Sequence, residues 1–159
     1  MYQYRITKYD PSLRDRDGAY SVDEWTSHSD IGKSFGGVHL TEDGYLRVEQ
    51  AYLEAAAAFL SEARITELTV VGLENHGKTS TAPQDKSRIE AEDVVKVLRS
   101  LLREEFWCKL ESPAAFIHVG YDYYMYIGTP VECARASVVA QDKGLFVEAF
   151  KSPYAQSVA

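Results

Sequence analysis

The sequence predicts an α+β domain: a mixed or antiparallel sheet of about six strands, with two long helices and one short helix packed mainly on one face. Three observations carry this. Apolar residues recur at helical spacing across 41–63 and 89–104. Residues 2–8 alternate in the manner of a half-buried strand. Short runs rich in β-branched and aromatic residues, bounded by turn formers, fill much of the remainder.

The elements follow in order. In residues 2–8, Tyr2, Tyr4 and Ile6 point one way while Gln3, Arg5 and Thr7 point the other. Residues 9–37 hold Pro11, Gly18, Gly32, Gly36 and Gly37 and show no sustained period, so they read as a long ordered loop with one helical turn near 23–25. Thr41 is placed to cap a helix whose first turn carries Glu42 and Asp43. Tyr45, Val48, Tyr52, Ala55, Phe59 and Ala63 form its stripe, and the alanines at 55–58 let a sheet approach closely. Residues 67–73 read as a buried strand and 74–88 as an exposed loop. A second helix, 89–104, buries Val94, Val97, Leu98, Leu101 and Leu102, with acids at its N-terminal end. Strands are expected at 106–110, 114–119 and 123–127, with a turn near 120–122. A short helix over 130–141 ends at Gly144, which suits a left-handed cap, and a last strand covers 145–150.

A length of 159 residues fits one domain, 1–154, with a mobile tail at 155–159. The net charge is −7, from 24 acids against 17 Lys and Arg. Phosphate binding needs a basic footprint, so nucleic acid is not expected as a direct partner. A basic protein partner is compatible, because opposite charge steers encounter; acidity also serves solubility alone. Cys108 lies in an apolar run and reads as a buried inert thiol, and the two cysteines form neither a zinc pattern nor a disulfide framework. The first residues lack the apolar core of a signal peptide, and no run approaches the roughly 20 apolar residues of a membrane span. The expected compartment is the cytoplasm and no membrane contact is expected. Oligomeric state is not encoded in any pattern here.

No catalytic group, metal site or cofactor is expected from the motifs. Residues 72–79, GLENHGKT, match the phosphate-loop pattern and follow a hydrophobic strand. A nucleotide-binding alternative would use Gly77, Lys78 and Thr79. Such a loop needs a helix starting near Lys78, to point backbone N–H groups at phosphate. Pro83 and the poor helix formers at 79–84 argue against one. The four histidines, His28, His39, His76 and His118, are scattered, and the adjacent acids Asp23/Glu24 and Glu104/Glu105 read as diverging solvated charges. Two stretches remain as a candidate partner surface. One is Asp23, Glu24, Trp25 and Asp30 in the long loop; the other is Tyr121, Asp122, Tyr123 and Tyr124. Aromatic anchors ringed by acids are hot-spot chemistry. The competing reading makes Trp25 a core plug and the tyrosines packing residues of a central strand.

Several blocks carry a family resemblance: residues 4–11 (YRITKYDP), 23–27 (DEWTS), 29–32 (SDIG), 107–111 (WCKLE), 120–128 (GYDYYMYIG), 144–148 (GLFVE) and 152–154 (SPY). In these the chain resembles small bacterial immunity-type proteins of polymorphic or contact-dependent toxin systems. The similar blocks run in order along nearly the whole chain. The resemblance implies a non-enzymatic cytoplasmic protein that binds and blocks a cognate toxin domain, one expected to be basic. A further alternative is a non-catalytic interaction or regulatory module without a toxin partner. No family residue carries over to a catalytic position.

Overall fold

In a computed structural model, which describes residues 1–155, the chain is an α+β fold with its main sheet wholly antiparallel. The elements are β1 (Tyr2–Thr7), a short ribbon of β2 (Ser34–Phe35) and β3 (Val38–His39), α1 (Glu42–Glu62), β4 (Glu67–Glu74), β5 (Arg88–Glu90), α2 (Ala91–Leu102), β6 (Trp107–Glu111), β7 (Phe116–Val119), β8 (Met125–Thr129), α3 (Ala134–Asp142) and β9 (Phe146–Ala149). The seven-stranded sheet runs β5-β4-β6-β7-β8-β1-β9. No helix among the described residues is long and apolar enough to cross a membrane. The expected mobile tail lies outside the described residues from 156 onward.

Three departures from the sequence reading have local causes. The seventh strand, β5, sits where a helix start was expected. Ile89 lies opposite Leu68 on the sheet edge, and three residues are too few to show a period. In the long loop, the single helical turns are Pro11–Leu13 and His28–Asp30, not 23–25. The ribbon within it turns on Gly36 and Gly37, both left-handed, between the paired residues Phe35 and Val38. Finally, α3 starts at Ala134 rather than near Pro130. The Glu62 carboxylate accepts the Arg135 and Ala136 N–H groups at 3.2 and 2.6 Å, placing an anion at the helix N-terminus.

The core lies between the helices and one face of the sheet. The stripe of α1 supplies Tyr52, Ala55, Ala56, Phe59 and Leu60; α2 adds Val94, Leu98 and Leu102. They meet Ile6, Val70, Leu110, Ile117, Met125 and Ile127 from alternate strand positions. Thr41 caps α1 through the Gly44 N–H at 3.0 Å. Cys108 is buried in this core, and burial pushes its thiol up to about 12.

One charge is sealed inside. Glu49 on α1 is 2% exposed. Arg103, just past α2, grips both its oxygens at 2.8 Å, the Tyr45 hydroxyl donates to it at 2.6 Å, and Arg99 lies at 3.5 Å. Burial alone would raise this carboxyl; the Arg103 and Tyr45 hydrogen bonds outweigh it and hold Glu49 below its usual range. The chain of hydroxyls continues, as Tyr123 donates to Tyr45 at 2.9 Å and Tyr52 donates to the Tyr123 carbonyl at 2.9 Å. Helix α1, helix α2 and the β7–β8 connection are therefore bound through one carboxylate. Glu49→Ala would strand Arg103 and Tyr45, and is expected to cost about 3–5 kcal/mol in urea denaturation; a loss under about 1 kcal/mol would show the network to be dispensable.

Candidate functional site

The structure brings the two sequence-predicted stretches together, since the Tyr9 hydroxyl donates to the carbonyls of Trp25 and Asp122 and a small pocket is lined by Glu24, Asp122 and Tyr124, but it buries their central rings. Trp25 is 8% exposed and Tyr123 3% exposed, with ring centroids 5.0 Å apart, so both are core residues and neither presents its ring to a partner. Their hydrophobic area is what closes the long loop over the end of the sheet. The loop acids are engaged internally. Glu24 pairs with Lys8 at 2.6 Å, and that ammonium lies 4.1 Å from the Trp25 ring. Burial depresses the Lys8 ammonium to about 8, against the pull of Glu24. Asp23 accepts the Gly36 N–H at 2.8 Å, and Asp30 the Thr26 N–H at 3.0 Å. Tyr124 is half-buried, its hydroxyl accepting from Arg14 at 2.7 Å. Asp122 and Tyr121 remain at the surface, and Tyr121 is 84% exposed.

The phosphate-loop-like segment folds differently from its pattern. No helix follows it; residues 79–87 are loop and turn before β5. The Asn75 side chain accepts the Thr79 N–H and donates to the Thr79 carbonyl, closing residues 75–79 on themselves. Gly72 lies inside β4 at φ +68°, where the register slips by one residue. This is a glycine β-bulge. Beyond it, Glu74 rather than Leu73 stands opposite Trp107, on the same face of the sheet.

That pairing forms one wall of a cleft of about 470 Å³. Glu74, His76 and Gly77 line it together with Glu104, Glu105, Trp107, Gly120, Tyr121 and Tyr154, over the buried Leu101, Phe106 and Val119. The Trp107 indole N–H donates to the Val119 carbonyl at 2.9 Å, which fixes the half-buried ring in the cleft lining. Tyr154 packs 5.7 Å from Trp107 and directly over Gly120, where a Cβ would collide with its ring. Tyr121 is held at the rim because its neighbours are anchored: the Asp122 carbonyl accepts from Tyr9 at 2.6 Å, and the Gly120 N–H donates to the Tyr124 carbonyl at 2.8 Å. Asp122 and Tyr123 both adopt left-handed backbone, which turns Tyr123 inward and leaves Tyr121 outside.

The acids of this cleft come from an anomalous helix end. All three helices finish in the same motif, in which the second N–H past the cap reaches back five residues to a carbonyl. The donors are Ile65, Glu105 and Leu145, bonded to Leu60, Ser100 and Ala140 at 2.9–3.0 Å. The residue before each is left-handed: Arg64, Glu104 and Gly144. Helix α1 places a cation there and an apolar residue next; α3 places glycine and an apolar residue. Helix α2 places Glu104 in the strained position and Glu105 after it, next to a helix end that carries partial negative charge. The cap residue Arg103 does not compensate, because its guanidinium is spent on Glu49. The adjacent acids, expected to diverge into solvent, thus both line one cleft.

A second constellation assembles on the same side of the sheet. His118 is 0% exposed, bonded to Ser152 at 2.7 Å through Nδ1 and to Glu111 at 2.8 Å through Nε2. A carboxylate offers only acceptors, so the matching tautomer carries its proton on Nε2 and accepts the Ser152 hydroxyl at Nδ1. The string has the residue types of a hydrolytic triad. Ser152 is itself buried, and its oxygen already accepts the Tyr154 N–H at 3.1 Å. The contact it makes is structural: it pins the segment carrying Tyr154 against the sheet, and so holds one wall of the cleft. Sequence reading missed this string because its members lie seven and 34 residues apart. Among the described residues, no group of three or more His, Cys, Asp or Glu side chains is placed to hold a metal ion.

No protein-family model matches this chain, and no curated protein or solved structure matches it either.

Two outcomes are expected. Glu104→Gly relieves a left-handed side chain and a charge at the wrong helix end, and should raise stability by about 1 kcal/mol, read from the urea midpoint. Burial holds His118 below its usual range, the pull of Glu111 notwithstanding and Lys109 adding to the depression. The unfolded chain therefore takes up this proton first. Stability from His118 is complete above about pH 6.5 and is lost as pH falls through its lowered folded value, with a slope of at most about 1.4 kcal/mol per pH unit. Denaturation midpoints from pH 7 to 4.5 should show this fall in the native sequence and a flatter profile in His118→Gln.

Proposed function

We propose that this chain is an immunity-type inhibitor: it binds a cognate toxin domain in the cytoplasm and neutralises it, through the face that carries Tyr121. The observation that carries the reading is the cleft itself, where an 84% exposed tyrosine borders Trp107 and three carboxylates without ion-pair partners among the described residues. Exposed aromatic area beside a concave, charged patch is hot-spot chemistry. The resembling blocks 107–111 and 120–128 supply Trp107, Gly120 and Tyr121, so the resemblance and the cleft coincide. The net charge of −7 supports a basic partner, drawn in by long-range attraction. The contact surface of the proposal differs from the sequence-based one: Trp25 and Tyr123 act as scaffold, Tyr121 and Asp122 stay, and Glu74, Glu104, Glu105, Trp107 and Tyr154 join them.

The test is co-expression with the protein encoded by the adjoining reading frame. The native chain should rescue cells from that neighbour's toxicity, and the purified pair should bind tightly. Tyr121→Ala should weaken binding by about 2 kcal/mol, roughly 30-fold, with an unchanged melting temperature. A harmless neighbour, or one that the chain neither binds nor restrains, overturns neutralisation in favour of a general interaction module.

A further inference from the structure

The geometry points to an arginine side chain of a partner protein as the occupant of the cleft. The inference deepens the proposed function and rests on it for the partner's identity, but not for the chemistry of the pocket. Three features fix the sign of the charge. Glu74 is placed opposite Trp107 by the Gly72 bulge. Glu104 and Glu105 occupy positions at the α2 terminus where the other two helices place a cation, glycine or an apolar residue. The α2 terminus itself favours a cation within its last turn. The last turn holds Arg99 and the cap position Arg103, and both guanidiniums lie against Glu49, at 3.5 and 2.8 Å, rather than against Glu104 or Glu105. Stability alone would disfavour two acids here, and a sequence that breaks a local rule without internal compensation marks a functional position.

The walls then choose among cations. The Trp107 ring is locked by its bond to Val119, with Tyr154 tilted beside it and Tyr121 free at the rim. A guanidinium is planar and weakly hydrated; it stacks on such rings and forks to carboxylates at the same time. An ammonium is compact and strongly hydrated, and uses the carboxylates but little of the ring area. An apolar occupant would desolvate three carboxylates without pairing them. About 470 Å³ accommodates one long side chain at the centre of an interface, with the rest of the contact outside it.

The test uses the full chain and short capped peptides, Gly-Arg-Gly and its citrulline and lysine counterparts. Citrulline keeps the shape of arginine and removes the charge. In a proton–nitrogen correlation spectrum the two indole signals belong to Trp25 and Trp107, and Trp107→Phe assigns them. The arginine peptide should shift the Trp107 signal with a dissociation constant of about 1 mM, weakening as salt is added, while the buried Trp25 signal stays. The citrulline peptide should bind about tenfold more weakly or not at all. The double variant Glu104→Gln/Glu105→Gln should lose about tenfold in arginine affinity with the Trp25 signal unmoved, which shows the fold intact. An unmoved Trp107 signal, equal binding by citrulline or lysine, or an indifferent double variant overturns the inference. Toxin rescue without arginine binding would refute this assignment alone. Arginine binding without any toxin partner would keep the pocket and refute neutralisation.

Discussion

The fold depends on a desolvated carboxylate. Glu49 has no solvent to stabilise its charge, so its two arginines and Tyr45 must do so. Satisfying it fixes the angle between α1 and α2, because the bidentate fork admits one geometry. It also decides what lies at the far end of α2. The residue that would complement that terminus is Arg103, and it is drawn inward. Arg99, in the last turn, also lies against Glu49, so among the described residues neither cation pairs with the acids that follow, next to the strand that begins with Trp107. An interior electrostatic requirement shapes an exterior one.

The same network fixes the aromatic rim. Tyr123 joins the Glu49 cluster through Tyr45, and Tyr52 bonds its carbonyl. The β7–β8 connection must therefore bring residue 123 inward within five residues of the end of β7. Two successive left-handed residues meet that constraint at a cost of roughly 1–3 kcal/mol each. Tyr121 lies on the other side of that reversal and cannot also be buried. Its exposure follows from its neighbour's anchoring. Gly120 completes the arrangement by admitting the Tyr154 ring onto the backbone.

What sequence could show was governed by period and by local rules. The α1 stripe, its Thr41 cap and the Gly144 terminus were legible because each has a fixed spacing or residue preference. Trp25 left two readings open from its size, and burial selects the core one. The bulge at Gly72 was hidden because its glycine also fits a phosphate-loop pattern, and only the missing helix after Lys78 separates the two. The terminus at Glu104 was hidden because a glutamate gives no signal for left-handed backbone. Tyr123 is the same case, while Asp122 is of a type that tolerates left-handed backbone without requiring it. The site lies where local preference is violated, so reasoning from preference passes over it.

Composition misleads in a related way. A net charge of −7 suggests an acidic surface at large, yet many of the acids serve the fold. Glu24 balances Lys8, Asp23 and Asp30 hold loop backbone, Glu62 caps α3, and Glu148 forks to Arg5 at 2.9 Å. Each such carboxylate is matched by a nearby donor or cation, and its field is correspondingly short-ranged. The carboxylates that project a field are those left over, and Glu74, Glu104 and Glu105 converge on one concavity walled by low-dielectric rings. Such walls focus field lines, so these three acids outweigh their number in the potential a partner meets, within a screening length of about 8 Å at physiological salt. Recognition at this site is accordingly a property of where pairing fails, not of total charge.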